Sequence, residues 1–268
     1  MIKIREIKAK SIISKSNLPG ADYVINPYTG CIHSCLYCYA RFMKRFTEHT
    51  EPWGKFIDAK INGPDLIPEN TSKYKGKTIF MSSVTDPYNP LEGKYRLTRR
   101  ILEKLIPLQP ELGILTKSNL VLRDVDLLVK FKSCDVGITI TTTNDTLRRE
   151  IEPSTSSIQK RIEALQKLKE AGIETYVFIG PILPFFTDWK EIILETKKFS
   201  GSYLFENLNI KGAVWGCIRR WLTDKHQNLL PEYERIYFTK SGYWDNVEKD
   251  IEEFCREQKL EFEIYFHH

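Results

Sequence analysis

From residue 77 to residue 210 the chain alternates apolar β-type runs with amphipathic helical ones, and that alternation leaves few folds open. The strand-like runs are Thr78 to Val84, Leu112 to Thr116, Val136 to Thr142, Thr175 to Ile179 and Tyr203 to Ile210, with Tyr23 to Asn26 upstream. Between them lie helical faces. Ile101, Leu102, Leu105 and Ile106 follow a Thr98 cap; Leu127, Leu128 and Phe131 follow Asp124. Ile158, Ile162, Leu165 and Leu168 follow a Ser156/Gln159 capping box and stop at Gly172. Another helix is expected near Trp189 to Phe199. Six strands interleaved with helices predict an α/β fold with a parallel sheet. In Val136 to Thr141 one face is Val/Ile/Ile and the other Gly/Thr/Thr. Large aliphatics belong against helices, so the small polar face should line the concave side. Leu208 and Ile210 against Asn207, Asn209 and Lys211 repeat the pattern.

Polar residues gather at the strand C-termini, in Ser82-Ser83-Val84-Thr85-Asp86, Thr116-Lys117-Ser118 and Thr141-Thr142-Thr143-Asn144. Barrel enzymes build their sites at that end. A loop with three cysteines, Cys31-x3-Cys35-x2-Cys38, leaves the first strand at the same end. Soft sulfur ligands this close select zinc, copper(I) or an iron–sulfur cluster. A structural zinc site wants a fourth protein ligand, whereas Cys134, Cys217 and Cys255 are scattered singly and His33 sits inside the loop. The chain is not cysteine-dense and begins with polar Met1-Ile2-Lys3-Ile4-Arg5, which argues against a disulfide framework. A cluster one protein ligand short fits the spacing best.

Cys31, Cys35 and Cys38, with Tyr37 before the last, resemble the signature of the radical S-adenosylmethionine (SAM) superfamily. The run Asn26 to Ala40, with Thr85 to Glu92, Thr116-Lys117-Ser118 and Gly180 to Pro184, is similar to its spore photoproduct lyase-like branch, over about residues 20 to 211. The resemblance implies a partial (β/α)6 TIM-like barrel and a 4Fe–4S cluster on the three cysteines. SAM would chelate the fourth iron and be cleaved by one electron to a 5′-deoxyadenosyl radical. It further implies a one-electron donor such as flavodoxin or ferredoxin.

By the same resemblance Tyr37 lies near the adenine, and Ser82, Ser83 and Asp86 near the methionine end. Lys117 contacts SAM, Thr141 reaches the ribose, and Glu152 with Arg161 matches the branch pattern. Gly180 would let backbone approach the cofactor closely. Plainer readings stand beside these: loop packing for Tyr37, a turn before Pro87 for Asp86, a solvated Lys117, a β-forming Thr141 and a surface Glu152–Arg161 pair. Spore photoproduct lyase carries a cysteine at its second-strand end, and Met81 to Thr85 has none. That departure puts the spore thymine lesion itself in doubt. A nucleic-acid lesion or modification site remains a candidate substrate, with a peptide or small metabolite as the alternative. Cys217 is the candidate hydrogen-atom donor, against the default of an inert thiol; Cys134 and Cys255 read as structural. Trp215, Arg219, Arg220, Trp221 and Lys225 interleave aromatics with charge, as a nucleic-acid grip, an acidic-donor dock or a packed strip.

Residues 1–211, with an insertion near 47–76 over one end of the sheet, should form the core, and 212–268 an extension packing on it. The extension holds a helix (Val247, Ile251, Phe254) with an Asp245/Glu248 capping box and a last strand, Leu260 to Phe266. The 41% apolar content suits a globular protein, and no apolar run is long enough for a membrane span. A net charge of +5 permits an anionic partner without requiring one. The cysteine usage fits a reducing cytoplasm.

Overall fold

The computed structural model describes residues 1–69 and 72–267; the three others, including two of the predicted insertion, lie outside it. The strands are β1 (Lys3–Ile7), β2 (Ile13–Lys15), β3 (Tyr23–Ile25), β4 (Tyr28–Thr29), β5 (Phe56–Lys60), β6 (Thr78–Met81), β7 (Glu111–Thr116), β8 (Cys134–Thr139), β9 (Glu174–Ile182), β10 (Ser202–Asn207) and β11 (Glu261–Tyr265). The α-helices are α1 (Glu92–Tyr95), α2 (Leu97–Leu105), α3 (Val125–Leu128), α4 (Asp145–Ile151), α5 (Ile158–Glu170), α6 (Trp189–Thr196), α7 (Val214–Lys225), α8 (Leu230–Phe238) and α9 (Tyr243–Glu257).

The main sheet runs β11-β10-β9-β8-β7-β6-β3-β2. Six successive strands, β3 and β6 to β10, are parallel, β11 joins parallel to β10, and β2 is antiparallel at the far edge. The two edges do not meet, so this is an open, partial (β/α)6 arrangement. It still curls. Cys35 and Tyr37, beyond β3, share an apolar cluster with Leu208 and Val214, beyond β10.

The side-chain alternation read from the sequence is the one observed. Ile79, Met81, Leu112, Ile114, Val136, Ile138, Val177 and Ile179 are fully buried and pack with the helical residues Leu102, Leu105, Leu165 and Leu168. On the concave side a Cβ at Gly137 would overlap the Tyr176 ring, and one at Gly113 would lie 3.0 Å from Phe80. The glycines admit aromatic rings that fill the floor, and the polar residues stand above it.

Several local expectations shift. The helix α5 is capped by Ser157, whose Oγ accepts from the Lys160 amide, because Ser156 instead bonds Asn119. Asp124 gives no side-chain cap, since Arg99 and Arg123 take its carboxylate. Thr98 lies inside α2 and donates to the Pro87 carbonyl. The Asp245/Glu248 capping box does not form: α9 begins at Tyr243, behind Gly242 in a left-handed conformation.

The insertion and the N-terminal arm are not independent. β1 pairs parallel with β5, and β5 pairs antiparallel with β4, giving a small sheet β1-β5-β4. Arg5 and His49 both bind Asp58 at its centre. Trp53 and Phe56 pack with Cys31 and Ala40, so this sheet buttresses the cysteine loop, where the sequence suggested a cover over the main sheet. The basic-aromatic strip on α7 is partly interior. Trp221 is buried and donates to Glu150, which also pairs with Lys225. Among the described residues no helix is long and apolar enough to cross a membrane.

Candidate functional site

The cysteine loop is held from four sides. Asn26, at the end of β3, accepts from the amides of Ser83 and Val84, both at 3.1 Å, which ties the loop entrance to the end of β6. Thr85 donates to the Gly30 carbonyl at 2.6 Å. Gly30 has φ +86°, and a Cβ there would lie 2.7 Å from the Phe56 carbonyl, so the close approach to β5 requires glycine. The Leu36 amide donates to Ile151 at the end of α4. Arg41, one turn beyond Cys38, donates to the carbonyls of Cys35 and Leu36.

Cys31 and Cys35 are buried and Cys38 half-buried, and none is in a disulfide. Burial pushes the Cys35 thiol well up, only partly opposed by Lys117, and the neighbouring Cys38 and Cys31 sulfurs push the same way. Cys38 is likewise raised by burial and by Cys31. Among the described residues no three His, Cys, Asp or Glu side chains converge on a point for a single metal ion. The donor set is three free thiols in one clamped loop. Three soft sulfur donors in one loop would suit an iron–sulfur cluster better than a single hard metal ion. Loading such a group would displace the thiol protons.

Behind the loop lies a buried network. The Tyr37 hydroxyl donates to Glu152 and meets Thr141 Oγ1 at 3.2 Å. Glu152 is paired with Arg161, and both are fully buried. Arg161 also donates to the carbonyls of Thr139 and Ser156, each at 3.0 Å. Burial would raise the Glu152 carboxyl, but Arg161 and Lys117 outweigh it and hold it low. Thr141 Oγ1 is 3.4 Å from the Gly180 carbonyl, while the Phe178 ring occupies the space beside Gly180. Tyr37, Thr141, Glu152, Arg161 and Gly180 therefore come together as the wall that holds the cysteine loop.

A second network sits between β6 and β7. Asp86 accepts from Thr116 Oγ1 at 2.7 Å, the Lys117 amide at 2.9 Å and the Tyr88 amide at 2.8 Å, and pairs with His33 at 3.3 Å. Its carboxylate is thus spent on protein donors, which orient the turn carrying Lys117. The Lys117 ammonium stands 5.7 Å from the centre of the Tyr37 ring. Ser82 adopts a left-handed backbone (φ 73°), which turns the chain back so that its amide reaches the Ile25 carbonyl. The Ser83 hydroxyl accepts from Asn26 at 3.4 Å, and the Ser83 carbonyl accepts from Tyr39. Cys217 lies half-buried on α7 beside the face formed by Val214, Ile218, Trp221 and Leu222, which packs toward the Cys35 loop. Sequence reasoning missed Asn26, Tyr39 and Arg41, and it treated His33 only as a poor metal ligand. Their partners are 57, 44 and 6 residues away, and only the first two required long-range pairing.

Burial would raise the Asp86 carboxyl, but His33 and the Lys117 and Thr116 donors bring it to about 2, below the ordinary 3.8. A carboxyl depressed on folding adds stability that is complete above its unfolded value and disappears as pH falls through the folded one. Unfolding free energy measured by urea titration should therefore fall between about pH 4 and 2. Asp86→Asn should reduce that dependence, and an unaltered pH slope in the variant would contradict it.

Comparison with known proteins agrees with this arrangement. Residues 25–196 match the Radical SAM superfamily profile. An uncharacterized protein of Methanocaldococcus jannaschii is 50% identical over 235 residues, covering 88% of this chain and 87% of that one. Spore photoproduct lyase of Bacillus subtilis is 27% identical over 181 residues, covering 65% of this chain and 49% of the lyase. A structure of spore photoproduct lyase complexed with dinucleoside spore photoproduct superposes with TM-score 0.70 at 16% identity, covering 98% of this chain and 82% of the lyase chain. The clamped three-cysteine loop at the C-terminal end of an open parallel α/β sheet, together with these matches, places the chain in the radical SAM superfamily.

Proposed function

We propose that the protein is a radical SAM enzyme whose Cys31, Cys35 and Cys38 hold a 4Fe–4S cluster. When bound, the cluster and SAM supply a 5′-deoxyadenosyl radical that abstracts hydrogen from a substrate, after one electron from a flavodoxin or ferredoxin. The observation that carries the reading is the clamped loop with three free thiols beside a polar rim. The chain's own residues bind and orient. Asn26 and Arg41 hold the loop in register, Tyr37 and Glu152 fix its far side, and Asp86 aims the turn that presents Lys117. The Phe80 and Tyr176 rings lie against Gly113 and Gly137 on the concave side of the sheet.

For the substrate we favour a nucleic-acid lesion or modification site, supported by the likeness to a lyase that takes dinucleoside spore photoproduct. A second reading, a peptide or small metabolite, is favoured by Glu206 and Glu263. They stand on the face of β10 and β11 opposite the helix-packed Tyr203 and Phe205, where carboxylates would repel phosphates. Anaerobic reconstitution with iron and sulfide, followed by dithionite and SAM, should yield 5′-deoxyadenosine, and a loaded protein that makes none would refute the enzyme reading. Deuterium transfer into 5′-deoxyadenosine from labelled oligonucleotides or peptides would separate the two substrate classes.

A further inference from the structure

We infer that an exposed row of side chains just after the cysteine loop, centred on Phe42 and Arg45, is the docking face for an acidic protein that delivers one electron to the cluster; this rests on the cluster reading above. Tyr39–Phe46 form a 3-10 helix that begins immediately after Cys38. At three residues per turn, side chains i and i+3 stand in line. Ala40 and Met43 make one such line, and they pack with Cys31 and Cys38. Tyr39, Phe42 and Arg45 make the next, and all three are exposed, as is Phe46 at 66%. The exposed line is therefore about one helix thickness, on the order of 10 Å, from two of the three sulfurs. Elsewhere the loop is covered. Trp53 and Phe56 pack with Cys31, and Leu183, Leu208 and Val214 with Cys35.

The chemistry of the face selects its occupant. The helix carries Arg41, Lys44 and Arg45 and no acidic residue. Arg41 and Lys44 are engaged with the backbone carbonyls of Cys35, Leu36 and Thr50. Arg45 makes no ion pair among the described residues; its guanidinium lies over the Phe42 ring at 5.5 Å and the Phe46 ring at 4.7 Å. Neighbouring exposed aromatics mark a contact site. A partner surface bearing carboxylates would pair with Arg45 and be steered by the local positive charge. A nucleic-acid strand also uses aromatics and cations, but it stacks bases on open ring faces. Phe42 stands in line between Tyr39, whose ring is stacked on it at 6.5 Å, and Arg45, so its faces are taken and its edge is left. An apolar edge beside an unpaired cation fits an acidic protein better. On contact the reduced carrier loses one electron and the cluster gains it, with no covalent bond made or broken.

The test uses the cluster-loaded protein with flavodoxin, an acidic one-electron carrier, as the probe. Stopped-flow absorbance follows reduction by photoreduced flavodoxin, and calorimetry reads flavodoxin binding. Arg45→Glu should slow the second-order reduction about tenfold at low salt, and the difference should shrink at high salt, where screening removes the steering. Phe42→Ser should weaken flavodoxin binding about fivefold at either salt. Both side chains are exposed, so iron content and reduction by dithionite, a small reductant that needs no docking face, should stay at wild-type values. Unchanged flavodoxin rates and affinities in both variants, at full iron content, would overturn the inference. Equal slowing with dithionite would put the defect in the cluster itself and overturn it too. So would weakened binding of a single-stranded oligodeoxynucleotide in both variants with flavodoxin kinetics intact, which would make the face a strand-binding one. A wild-type protein that takes up no cluster would sink the enzyme reading instead, a distinguishable failure.

Discussion

Cys35→Ala should abolish iron uptake and 5′-deoxyadenosine formation together, to below detection, while leaving the protein folded. With two thiolates left, two irons of the cubane would lack a protein ligand, and the coordination that retains the group would be gone. The fold should survive because the loop is held mainly by other groups. Arg41 grips backbone carbonyls, which alanine keeps, and the Leu36 amide still reaches Ile151. Loss of the buried sulfur beside Leu183 and Val214 should cost on the order of 1 kcal/mol. The checks are iron analysis, the visible absorption of the reconstituted protein and a SAM-cleavage assay, beside a urea unfolding curve. An alanine variant that retains full iron and turnover would remove Cys35 from the site.

Arg161→Met should destabilise the fold by about 3–5 kcal/mol, the cost of leaving a buried carboxylate without its partner. Arg161 and Glu152 are both inaccessible to water, and Arg161 also satisfies the Thr139 and Ser156 carbonyls, which methionine cannot. The damage should spread to the loop, because Glu152 accepts from Tyr37, one residue before Cys38. Adding Glu152→Gln should recover part of the loss, since a neutral amide is cheaper to bury alone than a carboxylate. Equilibrium unfolding in urea reads both variants. A single-variant loss under about 1 kcal/mol would show that the pair behaves as a solvated surface bridge.

Much of the architecture was legible in the chain because its signals are local. The alternation Val136/Ile138 against Gly137/Thr139 is written into consecutive residues, and the strand pleat converts it directly into a helix-facing and a concave side. Gly172, in a left-handed conformation just past α5, stops that helix for reasons of its own backbone. Caps were less legible, because Ser156, Asp124 and Thr98 each had a competing partner that the sequence could not show.

By itself the sequence determined the parallel α/β class and the grouping of Cys31, Cys35 and Cys38 in one loop after the first parallel strand. Each of these depends on residues spaced within one strand, one helix or one loop. Tertiary structure alone decided that β1 and β5 join to brace the cysteine loop and that Glu152 and Arg161 are a buried clasp on Tyr37. It also decided that His33 belongs to Asp86, 53 positions away along the chain. Those pairings arise only when folding brings distant segments into a water-free interior, where a polar group must take whichever partner the packing supplies.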